Sequence, residues 1–74
     1  MKITYDPEAD AIYILLHKAE INDSIDIEDG VLADLDPEGH IVGLEILGAS
    51  KRLTAKELTS VSYENLLFVA EKMP

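Results

Sequence analysis

Acidic side chains are the residues of this sequence whose type and spacing could do chemistry. Two short loops carry them at alternate positions, residues 6–10 (Asp-Pro-Glu-Ala-Asp) and residues 34–38 (Asp-Leu-Asp-Pro-Glu). Paired carboxylates act as general acid and base when burial or a close neighbour raises one pKa. A further acid, Glu45, lies inside an apolar run. The candidate binding residues are therefore Asp6, Glu8, Asp10, Asp34, Asp36, Glu38 and Glu45.

The second loop matches the spacing of a calcium-binding loop, with Asp34 first, Gly39 sixth and Glu45 twelfth. Such a loop lies between two helices, whereas both flanks here alternate like strands. On an extended strand, Glu45 would lie roughly 20 Å from Gly39, at ~3.3 Å per residue. The pattern favours an acidic hairpin turn, and we predict no specific metal site; weak, unspecific cation binding by Asp34, Asp36 and Glu38 stays open as an alternative.

Other catalytic chemistry finds little support. His17 and His40 lack neighbours at metal-ligand spacing, there is no cysteine, and no serine has a nucleophile-elbow context. The four glycines are spaced as turn and strand residues, not as a phosphate-binding loop. We therefore predict no catalytic residue and no cofactor.

The acids must be positioned by strands. Residues 2–5 and 11–16 predict two strands, and alternation from residue 21 to 47 predicts further strands joined by turns at Asp29-Gly30 and Asp36–Gly39. Asp29-Gly30 is typical of a type I′ hairpin. The side chains expected to point inward are Ile3, Tyr5, Ile12, Ile14, Leu16, Ile25, Ile27, Val31, Ala33, Leu35, Val42, Leu44 and Ile46.

The C-terminal part predicts helix. Thr54 and Glu57 form a capping-box pattern that favours a helix from about Ala55 to Ser60. Residues 62–74 fit helical spacing and partly fit a strand, and their composition favours the helix. The predicted fold is α+β, a single domain 1–74. It consists of an antiparallel β-meander of four to five strands over residues 2–48, with a mainly helical tail over residues 49–74 packed on it.

Composition narrows the class of partner. The chain has 74 residues, 47% hydrophobic residues and a formal charge of −9. This charge disfavours nucleic acid and anionic lipid and favours a basic partner, although solubility alone would also explain it. Because the aliphatic core is small, a homo-oligomer is expected. No apolar run is long enough to span a membrane, and a cytoplasmic location is expected.

Two blocks of residues resemble a known family. Residues 5–14 (Tyr-Asp-Pro-Glu-Ala-Asp-Ala-Ile-Tyr-Ile) are similar to the opening of the domain-of-unknown-function 2283 family of short prokaryotic proteins, and residues 30–50 are similar to its second signature. The resemblance covers about residues 2–53 and implies no assigned activity and no catalytic set. It also implies that some relatives are encoded beside small toxin-like proteins, an antitoxin-like arrangement.

Three hypotheses follow from these observations. The first is a non-enzymatic protein-binding module, antitoxin-like, that uses its acidic loops against a basic protein. The second is a small metal-dependent or hydrolytic enzyme using Asp6, Asp10, Asp34 and Glu45. The third is a structural homo-oligomer. We rank them in this order.

Overall fold

The computed structural model describes residues 1–67, which fold into a five-stranded antiparallel sheet followed by two short helices. The elements are β1 (Lys2–Asp6), β2 (Ala11–Leu15), β3 (Asp23–Glu28), β4 (Val31–Leu35), β5 (Ile41–Leu47), α1 (Ala49–Arg52) and α2 (Ala55–Leu58). The predicted α+β class is confirmed. No helix in the described part of the chain is long and apolar enough to cross a membrane.

The order of the strands differs from a sequential meander. The sheet runs β1-β2-β5-β4-β3, so residues 16–22 carry the chain from β2, next to one edge of the sheet, to β3 at the opposite edge. The β2 and β5 strands are largely apolar on both sides, Glu45 apart, and a strand of this kind is best placed in the interior of a sheet. The exposed strand β3 is rich in carboxylates, which suit an edge because they discourage pairing with another sheet.

The strand register divides the sheet into two faces. Paired residues on neighbouring strands point to the same side. We call one side the apolar face, defined by a row across all five strands: Ile3, Ile14, Leu44, Ala33 and Ile25. We call the other side the polar face, defined by the adjacent row: Thr4, Tyr13, Glu45, Leu32 and Asp26.

The α2 helix and the residues that flank it lie over one half of the apolar face. A groove of about 370 Å³ between them and the sheet is lined by residues of β1, β2 and β5, together with Leu53, Leu58 and Val61. The predicted capping box is present: Glu57 N–H donates to Thr54 Oγ1 (3.1 Å) and Thr54 N–H donates to Glu57 Oε1 (2.9 Å). The α2 helix ends at Leu58, two residues earlier than predicted.

The tail is less helical than predicted. Helix α1 lies inside the predicted helical tail, although it was not predicted as a separate helix, and residues 60–65 form neither helix nor strand. The prediction of a helix from residue 62 is therefore wrong for residues 62–65, and helical structure resumes only after Asn65, a residue type favoured at the start of a helix. Residues 66 and 67 are helical, and the rest of this prediction, residues 68–74, lies outside the described residues.

Few of the side chains predicted to point inward are fully buried. Within residues 1–67 the buried apolar residues are Ala11, Ala33, Val42 and Ala49. Ile25 points to the apolar face as predicted, but Ile25 and Ile27 are 46% and 54% exposed. The groove under α2 and its flanking residues is lined by residues of β1, β2 and β5 and by none of β3. Ile3 and Tyr5 line the groove but remain about two-fifths exposed.

The two predicted turns differ in their outcome. Asp36–Gly39 is a turn as expected, since Gly39 N–H donates to the Asp36 carbonyl at 2.9 Å and Gly39 has φ 87°. Asp29-Gly30 joins β3 to β4. A type I′ turn requires positive φ at both of its central residues, but among the described non-glycine residues positive φ occurs at Asp10 alone. Asp29 therefore does not adopt the left-handed conformation, and the type I′ prediction is wrong. A bulge between Asp26 and Glu28 accommodates the connection instead.

Candidate functional site

The two acidic loops lie at opposite ends of the sheet. The first follows β1 at the end where Ala11 pairs with Leu47. The second joins β4 to β5 at the other end, beyond the pair of Leu35 with Ile41. Asp34 and Glu45 lie between these ends on the polar face. The structure therefore separates the seven candidate carboxylates into three groups.

In the first loop the carboxylates of Asp6 and Asp10 stabilise local structure. Asp6 Oδ1 accepts from the backbone N–H groups of Glu8 (2.9 Å) and Ala9 (3.3 Å), which closes the turn. Asp10 accepts from the Tyr5 hydroxyl (2.7 Å) and from both the backbone N–H (3.0 Å) and the hydroxyl (2.7 Å) of Ser50. The Asp10 side chain thus ties the β1–β2 turn to the start of α1.

Asp10 is held in an unusual backbone conformation. Its φ is 51°, in the left-handed region that Asp and Asn tolerate better than most residues. Its carbonyl also accepts from Ala49 N–H at 2.9 Å. The hydrogen bonds from Ser50, and then that from Tyr5, lower the pKa of Asp10, and the Tyr5 pKa is raised chiefly by the same bond.

In the second loop Asp36 has a similar local role. Asp36 Oδ1 accepts from the backbone N–H groups of Glu38 and His40, both at 2.9 Å. The bond from His40 is the main cause that lowers the pKa of Asp36. The Glu38 side chain is exposed and makes no hydrogen bond among those of the described residues. The calcium-loop spacing therefore corresponds to a capped hairpin turn followed by a strand.

The polar face carries a hydrogen-bonded cluster at its centre. The Tyr13 hydroxyl donates to Asp34 Oδ2 at 2.7 Å, and the Ser24 hydroxyl donates to Asp34 Oδ1 at 2.5 Å. These three side chains come from β2, β4 and β3, so the cluster links three strands, although β5 lies between β2 and β4. We call Tyr13, Asp34 and Ser24 the central cluster.

Gly43 makes room for the central cluster. It is buried on β5 between Asp34 and Leu15, and a Cβ there would lie 2.7 Å from Tyr13 Cζ and 3.0 Å from the Ile14 carbonyl oxygen. The Tyr13 ring therefore lies over the bare backbone of Gly43 and reaches across β5 to Asp34. The hydrogen bond to Asp34 is the main cause that raises the pKa of Tyr13 to about 12, and the Glu45 charge adds to it.

Glu45 borders the central cluster. It pairs across the sheet with Tyr13 on one side and Leu32 on the other, and it is half-buried. It is a diagonal neighbour of Asp34, whose direct partner on β5 is Gly43. Among the described residues no three His, Cys, Asp or Glu side chains are grouped so that they could hold a metal ion.

Comparison with known proteins identifies a family. Residues 2–50 match the family described as "Protein of unknown function (DUF2283)". The chain belongs to this family. It is similar to an uncharacterized protein of Methanocaldococcus jannaschii, 41% identical over 51 residues, which is 69% of this chain and 43% of that protein. The chain thus spans less than half the length of this relative. No solved structure matches significantly.

The family segment contains both hydrogen-bonded groups. Asp10 with Ser50, and Tyr13 with Asp34, all fall within residues 2–50, whereas α2 lies outside. The DUF2283 segment is therefore the sheet together with the start of α1, whose first turn Asp10 contacts.

The sequence reasoning selected Asp34 and Glu45 but missed Tyr13, Ser24 and Gly43 as members of one site. Alternation does place Tyr13 on the face opposite Ile12 and Ile14, but it names no partner for the Tyr13 hydroxyl. The signal missing from the sequence was the pairing of β2 with β5, since it alone brings Tyr13 over Gly43.

The arrangement suits binding better than bond-breaking. Asp34 already accepts two hydrogen bonds. The pKa of the Tyr13 hydroxyl is raised, and this makes Tyr13 a poorer acid near neutral pH. The polar face presents fixed acids and an oriented aromatic ring on a pleated surface. Such a surface can contact cationic and apolar groups at the same time.

Proposed function

We propose that this chain is a non-enzymatic protein-binding module that holds a basic partner on the polar face of its sheet, as an antitoxin holds a toxin. The observation that carries the proposal is the central cluster with Glu45 beside it, on the side of the sheet opposite the helices.

Charge supports a basic partner. The chain carries −9, and the polar face contributes Asp26, Asp34 and Glu45 from three neighbouring strands. Carboxylates spaced along such rows attract arginine and lysine side chains and orient the encounter. Because Asp34 is held by two hydrogen bonds, it is oriented before the partner arrives.

Apolar contact is available on the same face. Leu15, Leu32 and Leu47 surround Tyr13 and Glu45, and Leu47 is 41% exposed. Tyrosine contributes strongly to protein interfaces because its ring buries a large area and loses little conformational entropy. The bond to Asp34 already restricts the Tyr13 ring, which reduces the entropy lost on binding.

The enzymatic hypothesis has weaker support. It requires Asp6, Asp10, Asp34 and Glu45 to act together, whereas Asp6 and Asp10 lie in the turn at one end of the sheet and bind backbone or hydroxyl groups there. The binding hypothesis requires only that Asp34 and Glu45 lie together on the polar face, as they do.

The test measures binding of a defined cationic probe. The probe is a dye-labelled synthetic amphipathic helix with a leucine stripe flanked by arginines, and binding is followed by fluorescence anisotropy. We expect Glu45→Lys to weaken binding about tenfold, in line with the coupling of roughly 1.5 kcal/mol or more found for close charge pairs. Asp26→Lys, on the exposed edge, should act in the same direction.

The matched control is Glu8→Lys, which changes the net charge equally but lies in the turn at the end of the sheet. Equal weakening by Glu8→Lys and Glu45→Lys would show attraction by net charge alone and would contradict the proposal. The product of the adjacent gene can replace the peptide in the same assay, and this tests the antitoxin-like part separately.

A further inference from the structure

We propose that the polar face selects arginine over lysine in its partner, and that a guanidinium group binds at Glu45, between the side chains of Tyr13 and Leu32. This inference rests on the proposed function and deepens it, because it names the side chain that the polar face recognises. We call Glu45, Tyr13 and Leu32 the guanidinium subsite.

The strand register forms the guanidinium subsite. Glu45 on β5 pairs with Tyr13 on β2 at one side and with Leu32 on β4 at the other. Side chains paired in this way point to the same face of the sheet, with Cβ atoms about 5 Å apart. The Glu45 charge also contributes to the raised pKa of Tyr13, as expected of a carboxylate close to the phenol. A carboxylate therefore stands between an aromatic ring and an aliphatic side chain.

The Glu45 carboxylate is available to a ligand. It is half-buried, and within residues 1–67 it accepts no hydrogen bond and forms no ion pair. The neighbouring Asp34 differs, because its two oxygens already accept from Tyr13 and Ser24. Lys2 is the one basic residue in the five strands, and it lies on the edge strand β1, separated from β5 by β2. The described part of the chain thus supplies no cation to Glu45, and a partner can.

Tyr13 is held in position to contact a cation. Its hydroxyl donates to Asp34 at 2.7 Å and its ring lies over Gly43, so the side chain is oriented before a ligand arrives. Because the hydroxyl hydrogen is already used, the face of the ring is the group that remains for a cation to contact. Donation to a carboxylate also adds electron density to the ring, which strengthens its attraction for a cation.

The surroundings of Glu45 favour guanidinium over ammonium. Guanidinium is planar and weakly hydrated, it can donate two N–H groups to one carboxylate, and its faces can contact aromatic rings. Ammonium is compact and strongly hydrated, so the loss of water between Tyr13 and Leu32 costs it more. A carboxylate without a partner, beside an aromatic and an aliphatic side chain, therefore matches both the donors and the faces of guanidinium.

The test compares two probes that differ only in the type of cation. One is the arginine-containing helix described above, and the other carries lysine at every arginine position. We expect the wild type to bind the arginine helix about fivefold more tightly than the lysine helix, as measured by fluorescence anisotropy. The preference should largely disappear in Tyr13→Leu and mostly remain in Tyr13→Phe, which keeps the ring. Glu45→Gln removes only the carboxylate charge and should also lower the preference, so it serves if Tyr13→Leu does not fold.

The matched control is Tyr63→Leu, because Tyr63 is 77% exposed and lies outside the sheet. This variant should keep the wild-type preference for arginine. Equal affinity of the wild type for the two helices would overturn the inference, and so would a preference that survives in folded Tyr13→Leu or in Glu45→Gln.

Failure of this inference is distinguishable from failure of the proposed function. If the two helices bound equally well while Glu45→Lys weakened both more than Glu8→Lys, the proposed function would stand and the selectivity for arginine would be wrong. If neither helix bound to the wild type, both would be wrong.

Discussion

At the scale of single residues, two carboxylates form hydrogen bonds that join elements distant in sequence. Asp10 joins the β1–β2 turn to the start of α1, and Asp34 joins Tyr13 to Ser24 on the polar face. Both were selected from the sequence as candidate binding residues. Their hydrogen bonds show a structural role for Asp10, while Asp34 orients side chains on an exposed surface.

We predict that Asp10→Asn lowers the thermal midpoint at neutral pH. Asparagine tolerates the left-handed backbone of this position, so the substitution mainly removes charge. Because folding lowers the pKa of Asp10, its stabilisation is fully present above the unfolded value of 3.8 and is lost as pH falls through the folded value.

Thermal unfolding of both proteins across acidic pH measures this effect. The difference between wild type and Asp10→Asn should be constant down to about pH 5 and shrink below it. The control is Glu8→Gln in the same turn, which should change the midpoint little. A difference that persists unchanged at the lowest pH would contradict the assigned role of the Asp10 charge.

We predict that one tyrosine titrates with a pKa of about 12 and that this tyrosine is Tyr13. The pKa is raised above the ordinary 10.0, so the stabilisation is present below pH 10 and is lost as pH rises through the folded value. Ultraviolet titration of tyrosinate measures it. The ionisation step of the tyrosine with the highest pKa should be absent in Tyr13→Phe. In Asp34→Asn the pKa of Tyr13 should move toward 10.0.

Tyr13→Phe should also destabilise the fold by about 1 kcal/mol, the usual net value of a side-chain hydrogen bond. If the highest tyrosine step persisted in Tyr13→Phe, the bond to Asp34 would not be the cause of the shift.

At the scale of elements, alternation of apolar residues predicted the strands, because one buried face leaves a period-two pattern. The order of the strands could not be predicted, since β5 pairs with β2 across residues 16–40 and no local signal marks that pairing. The α1 helix was not predicted as a separate element within the helical tail, because its start depends on Gly48 and on Asp10, which is distant in sequence. The capping box of α2 is local and was found.

The candidate site could be predicted only in part for the same reason. Asp34 and Glu45 stand out because an acid in an apolar run is unusual. Tyr13 has no such signal, because its partner lies 21 residues away and is reached only over Gly43.

We predict that Gly43→Ala costs about 1–3 kcal/mol of stability, because the added Cβ would overlap the Tyr13 ring and approach the Ile14 carbonyl. Urea unfolding measures the change. In a Tyr13→Ala background the cost should be smaller, since one of the two overlaps is gone. Equal costs in both backgrounds would mean that the Tyr13 ring does not lie over Gly43.

At the scale of the whole molecule, the sheet presents two unlike surfaces and has a poorly filled interior. Carboxylates and Tyr13 occupy the polar face, while Ile25 lies partly exposed on the apolar face, outside the groove under α2. The polar face is the surface that suits a basic partner. Association there should therefore weaken as the salt concentration rises.

The most direct measurement compares binding of the arginine-rich helix to wild type, Glu45→Lys and Glu8→Lys at low and high NaCl. Salt screens the attraction between carboxylates and arginines, so the wild-type complex should become weaker as NaCl rises. At low salt Glu45→Lys should weaken the complex more than Glu8→Lys, which changes the net charge equally. Equal dissociation constants for the two variants would contradict binding on the polar face.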